Sequence, residues 1–334
     1  MSLVDDPRSA PSIRWGILGP GGIARTFAEA VLGHTRSQVV AVGSRDYSRA
    51  ERFATKYGIP TTHEGYERLV ADEQVDAVYV ASPHSEHLEH ALLAIEAGKH
   101  VLVEKAFTRN AAEAQQVADA ARAKGVFVME AMWTRFLPHV AALRAVIERG
   151  EIGEVLMLSA DHGQFFDFGP EHRLLSPALA GGALLDLGVY PVSFAHDLLG
   201  VPTAVHANGQ LTDTGVDGQV AISLEFEGRA QALLSTTQWA KTPTVAHISG
   251  TEGYIDVAGD FYRPTGYRVV RRDGTEIFFD RPVDGGFQFQ AAEVARRIAE
   301  GATESPRITL ENSIEVMRTL DEIRRQIGVV YPGE

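Results

Sequence analysis

The 334-residue chain contains no cysteine. Disulfides, thiolate metal sites and a cysteine nucleophile are therefore excluded. Basic residues are scarce beside acidic ones, 31 against 44, and the formal net charge is −13. A nucleic-acid partner, which needs a basic face, is not expected. An anionic cofactor is compatible with this balance, because a few local cations can hold it. Long apolar runs are also missing. The nearest approach to a membrane-spanning stretch, Ser176 to Ala195, is broken by Asp186, several glycines and Pro191, so no membrane partner is expected. Met1 to Ser12 carries Asp5, Asp6, Pro7, Arg8 and Pro11 without an apolar core. It is expected to be a flexible leader on a cytoplasmic protein rather than a signal peptide.

What is present has the balance of a globular protein, 45% hydrophobic and 22% charged, and the length suggests two domains. Short apolar runs alternate with helical patterns up to about Gly150. Strands are expected at Ile13–Leu18, Val39–Val42, Ala77–Ala81, His100–Val103 and Phe127–Met129, with helices near Ser48–Tyr57, Glu86–Ala97, Asn110–Lys124 and Arg135–Arg149. Such alternation predicts a doubly wound parallel sheet of Rossmann type. Beyond it, strand patterns at Glu154–His162, Ala204–Leu211, Val220–Phe226, Ala230–Gln238, Val245–Gly250, Tyr267–Val270 and Glu276–Phe279 dominate, and two helices close the chain. The hairpin signals Glu227-Gly228-Arg229 and Asp273-Gly274 predict an open, mostly antiparallel sheet. The expected division is a leader over 1–12, an α/β dinucleotide-binding domain over 13–132, and an α+β substrate-binding and dimerisation domain over 133–334.

The first strand runs into Gly19-Pro20-Gly21-Gly22-Ile23-Ala24. In this G-x-G-x-x-A pattern Gly19 permits a tight turn, Gly21 lets backbone approach a pyrophosphate, and Ala24 packs closely on the strand. The helix that opens at Gly22 and Ile23 presents N–H groups to the phosphates. The second strand ends at Ser44-Arg45-Asp46. A hydroxyl and a guanidinium suit a 2′-phosphate, which favours NADP; Asp46 would instead take the ribose hydroxyls of NAD. Ser82-Pro83-His84 and Glu104-Lys105 follow the next apolar strands, at the carboxyl ends where ligands of such sheets sit.

Gly19-x-Gly21-x-x-Ala24, Glu104-Lys105 and Asp186-Leu187-Gly188-Val189-Tyr190 together resemble the Gfo/Idh/MocA oxidoreductases over nearly the whole chain. Met129 to Phe136 and Gly181 to Pro191 are similar to the branch with dimeric dihydrodiol dehydrogenase and NADP-dependent D-xylose 1-dehydrogenases. The resemblance implies that Lys105 and Tyr190 are the catalytic pair, that Asp186 supports them, that Pro83, His84 and His87 lie along the cofactor, and that two copies pair through the second domain's sheet. Ala106 replaces the family's usual Pro after Lys105, and Tyr190 stands where many relatives carry His. The chemistry agrees with these residue types. A free Tyr ionises near pH 10, and a neighbouring ammonium favours the phenolate that can take a hydroxyl proton.

Trp133, Phe165 and Phe166 are candidate walls of a substrate pocket, Arg173 a candidate substrate contact and Arg135 a candidate cofactor contact. Ordinary core packing or surface ion pairs are the alternatives for each. His84, His87 and His90 form H-x-x-H-x-x-H, but on a helix these three fan out rather than converge, so no metal is expected. The expected activity is oxidation of a sugar or cyclic polyol hydroxyl, with an aldose 1-dehydrogenase first. A trans-dihydrodiol dehydrogenase and a non-catalytic dinucleotide-binding regulator are the alternatives.

Overall fold

Trp15 to Leu18 are all buried, and β1 (Arg14–Leu18) lies in the interior of a sheet. The computed structural model describes residues 4–169, 171–280 and 283–334. With β2 (Gln38–Ser44), β3 (Thr61–Glu64), β4 (Ala77–Val80), β5 (His100–Val103) and β6 (Val128–Glu130), β1 forms a parallel sheet in the order β3-β2-β1-β4-β5-β6. Every residue of β4 is buried, as is β5 after its first residue. Burial on both faces is why these segments read as continuous apolar runs. The crossovers carry α1 (Gly22–His34), α2 (Tyr47–Tyr57), α3 (Tyr66–Val70), α4 (His87–Glu96) and α5 (Ala111–Lys124). The start of α5 is set by Asn110, whose side chain accepts from Glu113 N at 2.9 Å, the capping role that Asn fills well.

The second sheet follows α6 (Pro138–Glu148). It contains β7 (Val155–Gly163), β8 (Ala204–Leu211), β9 (Asp217–Glu225), β10 (Gln231–Thr237), β11 (Ala246–Gly250), β12 (Gly253–Val257), β13 (Tyr267–Arg271) and β14 (Glu276–Phe279). Their order is β14-β13-β12-β11-β7-β10-β9-β8. Only the β7–β10 pair is parallel. Between β7 and β8 the chain forms α7 (Val189–Leu199), and α8 (Phe287–Ala299) and α9 (Leu310–Ile327) end it. The stretch Pro177–Leu199 is apolar and long enough to cross a membrane, but 89% of its most apolar window is buried inside the protein. A helix apolar on all sides is what a core position demands.

The structure departs from the sequence reading in several places. The chain divides by contact into Asp5–Trp133 with Gly285–Ile314, and Thr134–Asp284 with Glu315–Glu334. Residues 285–314, expected in the second domain, therefore belong to the first unit, where α8 packs on α1. The expected flexible leader is a docked turn over the residues described. Pro7–Ser9 is a 3-10 turn capped by Asp6, Ala10 is buried, and Arg296 donates to Asp6 O at 2.9 Å. The single helix expected over Arg135–Arg149 is split into a short 3-10 turn and α6, because Pro138 favours a fresh start at the first helical turn. In β10 Ala232, Leu234 and Thr236 are buried while Gln231 and Ser235 are exposed, and Leu233 is the apolar residue on the exposed face.

Candidate functional site

Four strand ends of the first unit meet at the carboxyl edge of its sheet, around the reversal of strand order between β1 and β4. Ligands of doubly wound sheets bind at such a reversal. After β1, Gly19 has a φ of 89°, a left-handed conformation natural to glycine. A Cβ on Gly21 would meet no protein atom within 4 Å, so the missing side chain serves something other than packing. Gly21 is also the N-cap of α1 and offers no side chain to the first-turn N–H groups, which remain available to an anion. Gly22 and Ile23 lie in that first turn, and Ala24 is fully buried beneath it. The residues present fit a dinucleotide pyrophosphate.

After β2, Ser44 is buried and its Oγ accepts from Asp46 N at 3.2 Å. Asp46 is occupied in turn. Its Oδ1 accepts from Ser48 N at 2.9 Å and Ser48 Oγ at 2.7 Å, capping α2, and the Ser48 hydroxyl draws its pKa below the ordinary carboxylate value. Arg45 is exposed, with its guanidinium 3.1 Å from Glu86 Oε1.

After β5, Glu104 is buried, bonded to the Tyr79 hydroxyl and accepting from Lys105 N at 3.2 Å. Burial pushes its carboxyl up to about 7. Lys105 is half-buried and the Lys105–Ala106 peptide is cis. Histidines bracket this turn. His84 Nε2 lies 3.2 Å from Lys105 O, and His87 Nδ1 2.9 Å from Ala106 O. His87 Nε2 is 2.9 Å from Ser82 O, and His90 Nδ1 2.9 Å from Ser82 Oγ. Burial holds the His87 ring down to about 4 in spite of its carbonyl partners. The H-x-x-H-x-x-H pattern thus fastens two strand-end loops together. Among the described residues no group of three His, Asp or Glu is placed to hold a metal.

The second unit carries Tyr190 at the start of α7, buried against His162 and Tyr262 with ring centroids 5.3 and 4.7 Å away. Asp186 lies in a π turn, Leu184–Gly188, that runs into α7 and so to Tyr190. Leu184 N donates to the buried Asp217 at 2.6 Å and fixes the start of that turn. Asp186 is buried and pairs with Arg173 at 3.0 Å. Two residues singled out separately in the sequence therefore act on each other.

The family described as an oxidoreductase family with an NAD-binding Rossmann fold matches residues 13–132, and its GFO/IDH/MocA C-terminal domain matches residues 140–256. The chain belongs to the Gfo/Idh/MocA oxidoreductase family. It is 39% identical to D-xylose 1-dehydrogenase (NADP(+)) of Hypocrea jecorina, over 96% of this chain and 93% of the fungal protein. It is 37% identical to trans-1,2-dihydrobenzene-1,2-diol dehydrogenase of Danio rerio, over 96% and 98%. Among solved structures it is similar to an aldose-aldose oxidoreductase from Caulobacter crescentus, at TM-score 0.86 and 25% identity, covering 95% of this chain and 97% of that one. A 3-ketoreductase from Actinomadura kijaniata in complex with NADP and TDP-benzene is similar at TM-score 0.85 and 27% identity, covering 95% and 98%.

Not every site residue read from the sequence of this Gfo/Idh/MocA oxidoreductase holds the place expected. Arg135, expected at the cofactor, is buried in the second unit, where it donates to Ser193 Oγ at 3.1 Å and lies 3.9 Å from Asp197. A buried guanidinium needs such partners, and α7 supplies them. Phe165 is 65% exposed and bridges to Trp239 through backbone, while Phe166 stacks on Phe168 at 5.1 Å. Trp133 is buried in the first unit against Phe287, 4.6 Å between centroids. His162, Tyr262, Phe287, Tyr79 and Glu86 were not singled out in the sequence. His162 alone carried a signal, a polar residue closing an apolar strand; Tyr262 lies far from Tyr190 in sequence, in a loop with no motif.

Proposed function

We propose that this chain is an NADP-dependent dehydrogenase that oxidises the anomeric hydroxyl of an aldose. The observation that carries the cofactor choice is the end of β2, where Arg45 is presented and Asp46 is spent on capping α2. A carboxylate engaged by two donors is a poor ligand for ribose hydroxyls, whereas a guanidinium suits a 2′-phosphate. The substrate class is supported by likeness to the NADP-dependent xylose dehydrogenase. Oxidation of a trans-dihydrodiol is the second reading, supported by likeness to the vertebrate enzymes.

When bound, the nicotinamide supplies the acceptor for the hydride that leaves the substrate carbon. On the family likeness, Tyr190 is the group that takes the hydroxyl proton and Lys105 the ammonium that hydrogen-bonds the substrate oxygen. Asp186, held by Arg173, positions the segment that bears Tyr190. The related 3-ketoreductase has been solved with a Tyr→Phe and with a Lys→Ala substitution, the same two residue types. Absorbance at 340 nm with NADP and NAD over a panel of aldoses and a trans-dihydrodiol tests this reading. NADP-linked turnover of an aldose is expected. Turnover of the diol alone promotes the second reading, and binding of NADP with no turnover of either class promotes a regulatory role.

The same reading includes a homodimer formed through the open face of the second sheet. That face carries Leu233 and Phe278, 52% and 67% exposed, and a two-fold pairing is the commonest way to cover such residues. Light scattering should give about 72 kDa, twice 36.2 kDa; a monomer at micromolar concentration counts against it.

A further inference from the structure

Glu86 lies in the short turn between β4 and α4. Its Oε1 is 3.1 Å from Arg45 Nη1. Its Oε2 is buried and accepts no hydrogen bond. His90 Nδ1 stands 4.0 Å from that oxygen but is bonded to Ser82 Oγ at 2.9 Å. Burial lowers the pKa of His90, so the ring is neutral at pH 7 and offers no balancing charge. Tyr66 packs edge-on against His90 at 4.6 Å. The Glu86 side chain is 19% exposed and that of Arg45 70%. The inner partner is thus a carboxylate with one oxygen stranded, and its ion pair is with an exposed outer guanidinium. A buried charge that loses its partner is costly.

Strand order gives this pair its meaning. Arg45 follows β2 and Glu86 follows β4, the two neighbours of β1. The ion pair therefore bridges the carboxyl end of β1, above the strand whose turn bears Gly19 and Gly21. Resting on the reading of Arg45 as the partner of a 2′-phosphate, we propose that Glu86 is a specificity-determining residue. It holds Arg45 when no 2′-phosphate is present and competes with that phosphate for the guanidinium, and so narrows the preference for NADP over NAD. A cofactor without the phosphate leaves the Arg45–Glu86 pair intact and has nothing to compete for. A cofactor with it must draw Arg45 away from that carboxylate.

Calorimetric titration of the purified full chain with NADP and with NAD tests this without reference to turnover. Glu86→Gln keeps the shape and removes the charge. It should tighten NADP by about three- to tenfold, the scale of one partly screened charge pair, and leave NAD within about twofold. The gain should shrink as salt is raised. In an Arg45→Ala background the same substitution should change NADP affinity little, since the competed-for cation is gone. Glu86→Ala, checked for folding by thermal melting, repeats the test if the Gln variant is poorly folded. If Arg45→Ala weakens NADP but neither Glu86 variant tightens it, Glu86 is only a fixture of its turn and the proposal is overturned. If Arg45→Ala leaves NADP unchanged, the reading of Arg45 fails and takes the proposal with it.

Discussion

Removal of the Tyr190 hydroxyl probes the proton-handling role at the smallest scale. Tyr190→Phe and Lys105→Ala should each lower kcat by about 10²- to 10⁴-fold, the usual worth of general acid–base groups. The two losses should not add fully in the double variant if one residue acts through the other. NADP affinity by fluorescence quenching should survive in both; a Tyr190→Phe enzyme with near-normal kcat removes that residue from the chemistry. Gly21 allows a cleaner separation of fold from function. Its φ is −91° and a Cβ there touches nothing in the protein, so Gly21→Ala should leave Tm nearly unchanged while weakening both cofactors. An unchanged Kd in that variant means the pyrophosphate lies elsewhere. At this scale the sequence was informative wherever a backbone geometry demanded one residue type, as at Gly19 and Gly21. It was ambiguous at Asp46, because an Asp after a strand reads equally as a ribose ligand or a helix cap. Only the Ser48 hydrogen bonds decide between them.

The Gly181–Gly182 turn shows what an element requires of its approach. A Cβ on Gly181 would fall 2.6 Å from the carbonyl oxygens of Arg173 and Leu174, and Gly182 has a φ of 118°. Gly181 O also accepts from the buried Tyr331 hydroxyl at 2.7 Å. Gly181→Ala must displace either the turn that carries Arg173 or the start of the π turn that carries Asp186. A loss of stability of about 1–3 kcal/mol is expected, as for overpacking of a filled site, with kcat falling more than KM rises. A variant with wild-type Tm and kcat would show that the backbone gives way there at no cost. Elements with a strong local signal, such as the apolar runs of β4 and β5 and the capped helix α5, were legible in the sequence, and so were the β9–β10 and β13–β14 hairpins. β3 was not, since Thr61–Glu64 is an edge strand with no fully buried residue and gets its order from pairing with β2. α7 escaped because burial on every side erased its amphipathic period. The π turn has no local signature in sequence, and its anchor at Asp217 lies 33 residues from Leu184. The return of residues 285–314 to the first unit was hidden for a related reason: periodicity reports which face of α8 is buried, not what buries it.

Over the whole molecule, protons link these buried groups to stability. His87 and His139 are held down to about 4 and His196 to about 3, chiefly by burial. A ring kept neutral by the fold contributes stability that is complete above its unfolded value of 6.5 and is lost as pH falls towards its folded value. The buried carboxyls run the other way. Glu104, raised from 4.5 to about 7, and Asp217, raised from 3.8 to about 6, favour folding in acid and lose that contribution as pH rises through those windows. Both sets titrate between about pH 4 and 6.5, three rings against two carboxyls. Paired surface acids such as Glu322, drawn down to about 2 by Arg325, add a further loss in strong acid. The balance should make the protein less stable at pH 4.5 than at pH 7. His139 offers the cleanest test because its partner is a single backbone carbonyl, Phe261 O at 3.0 Å, which a glutamine amide can also reach. Each such ring contributes a slope of about 1.4 kcal/mol per pH unit between its two pKa values. Urea unfolding of His139→Gln at pH 4.5, 5.5, 6.5 and 7.5 should therefore show a shallower acid limb than the parent chain. Equal slopes in the two proteins would mean that His139 gains its proton while still folded, and that the acid limb belongs to the other groups.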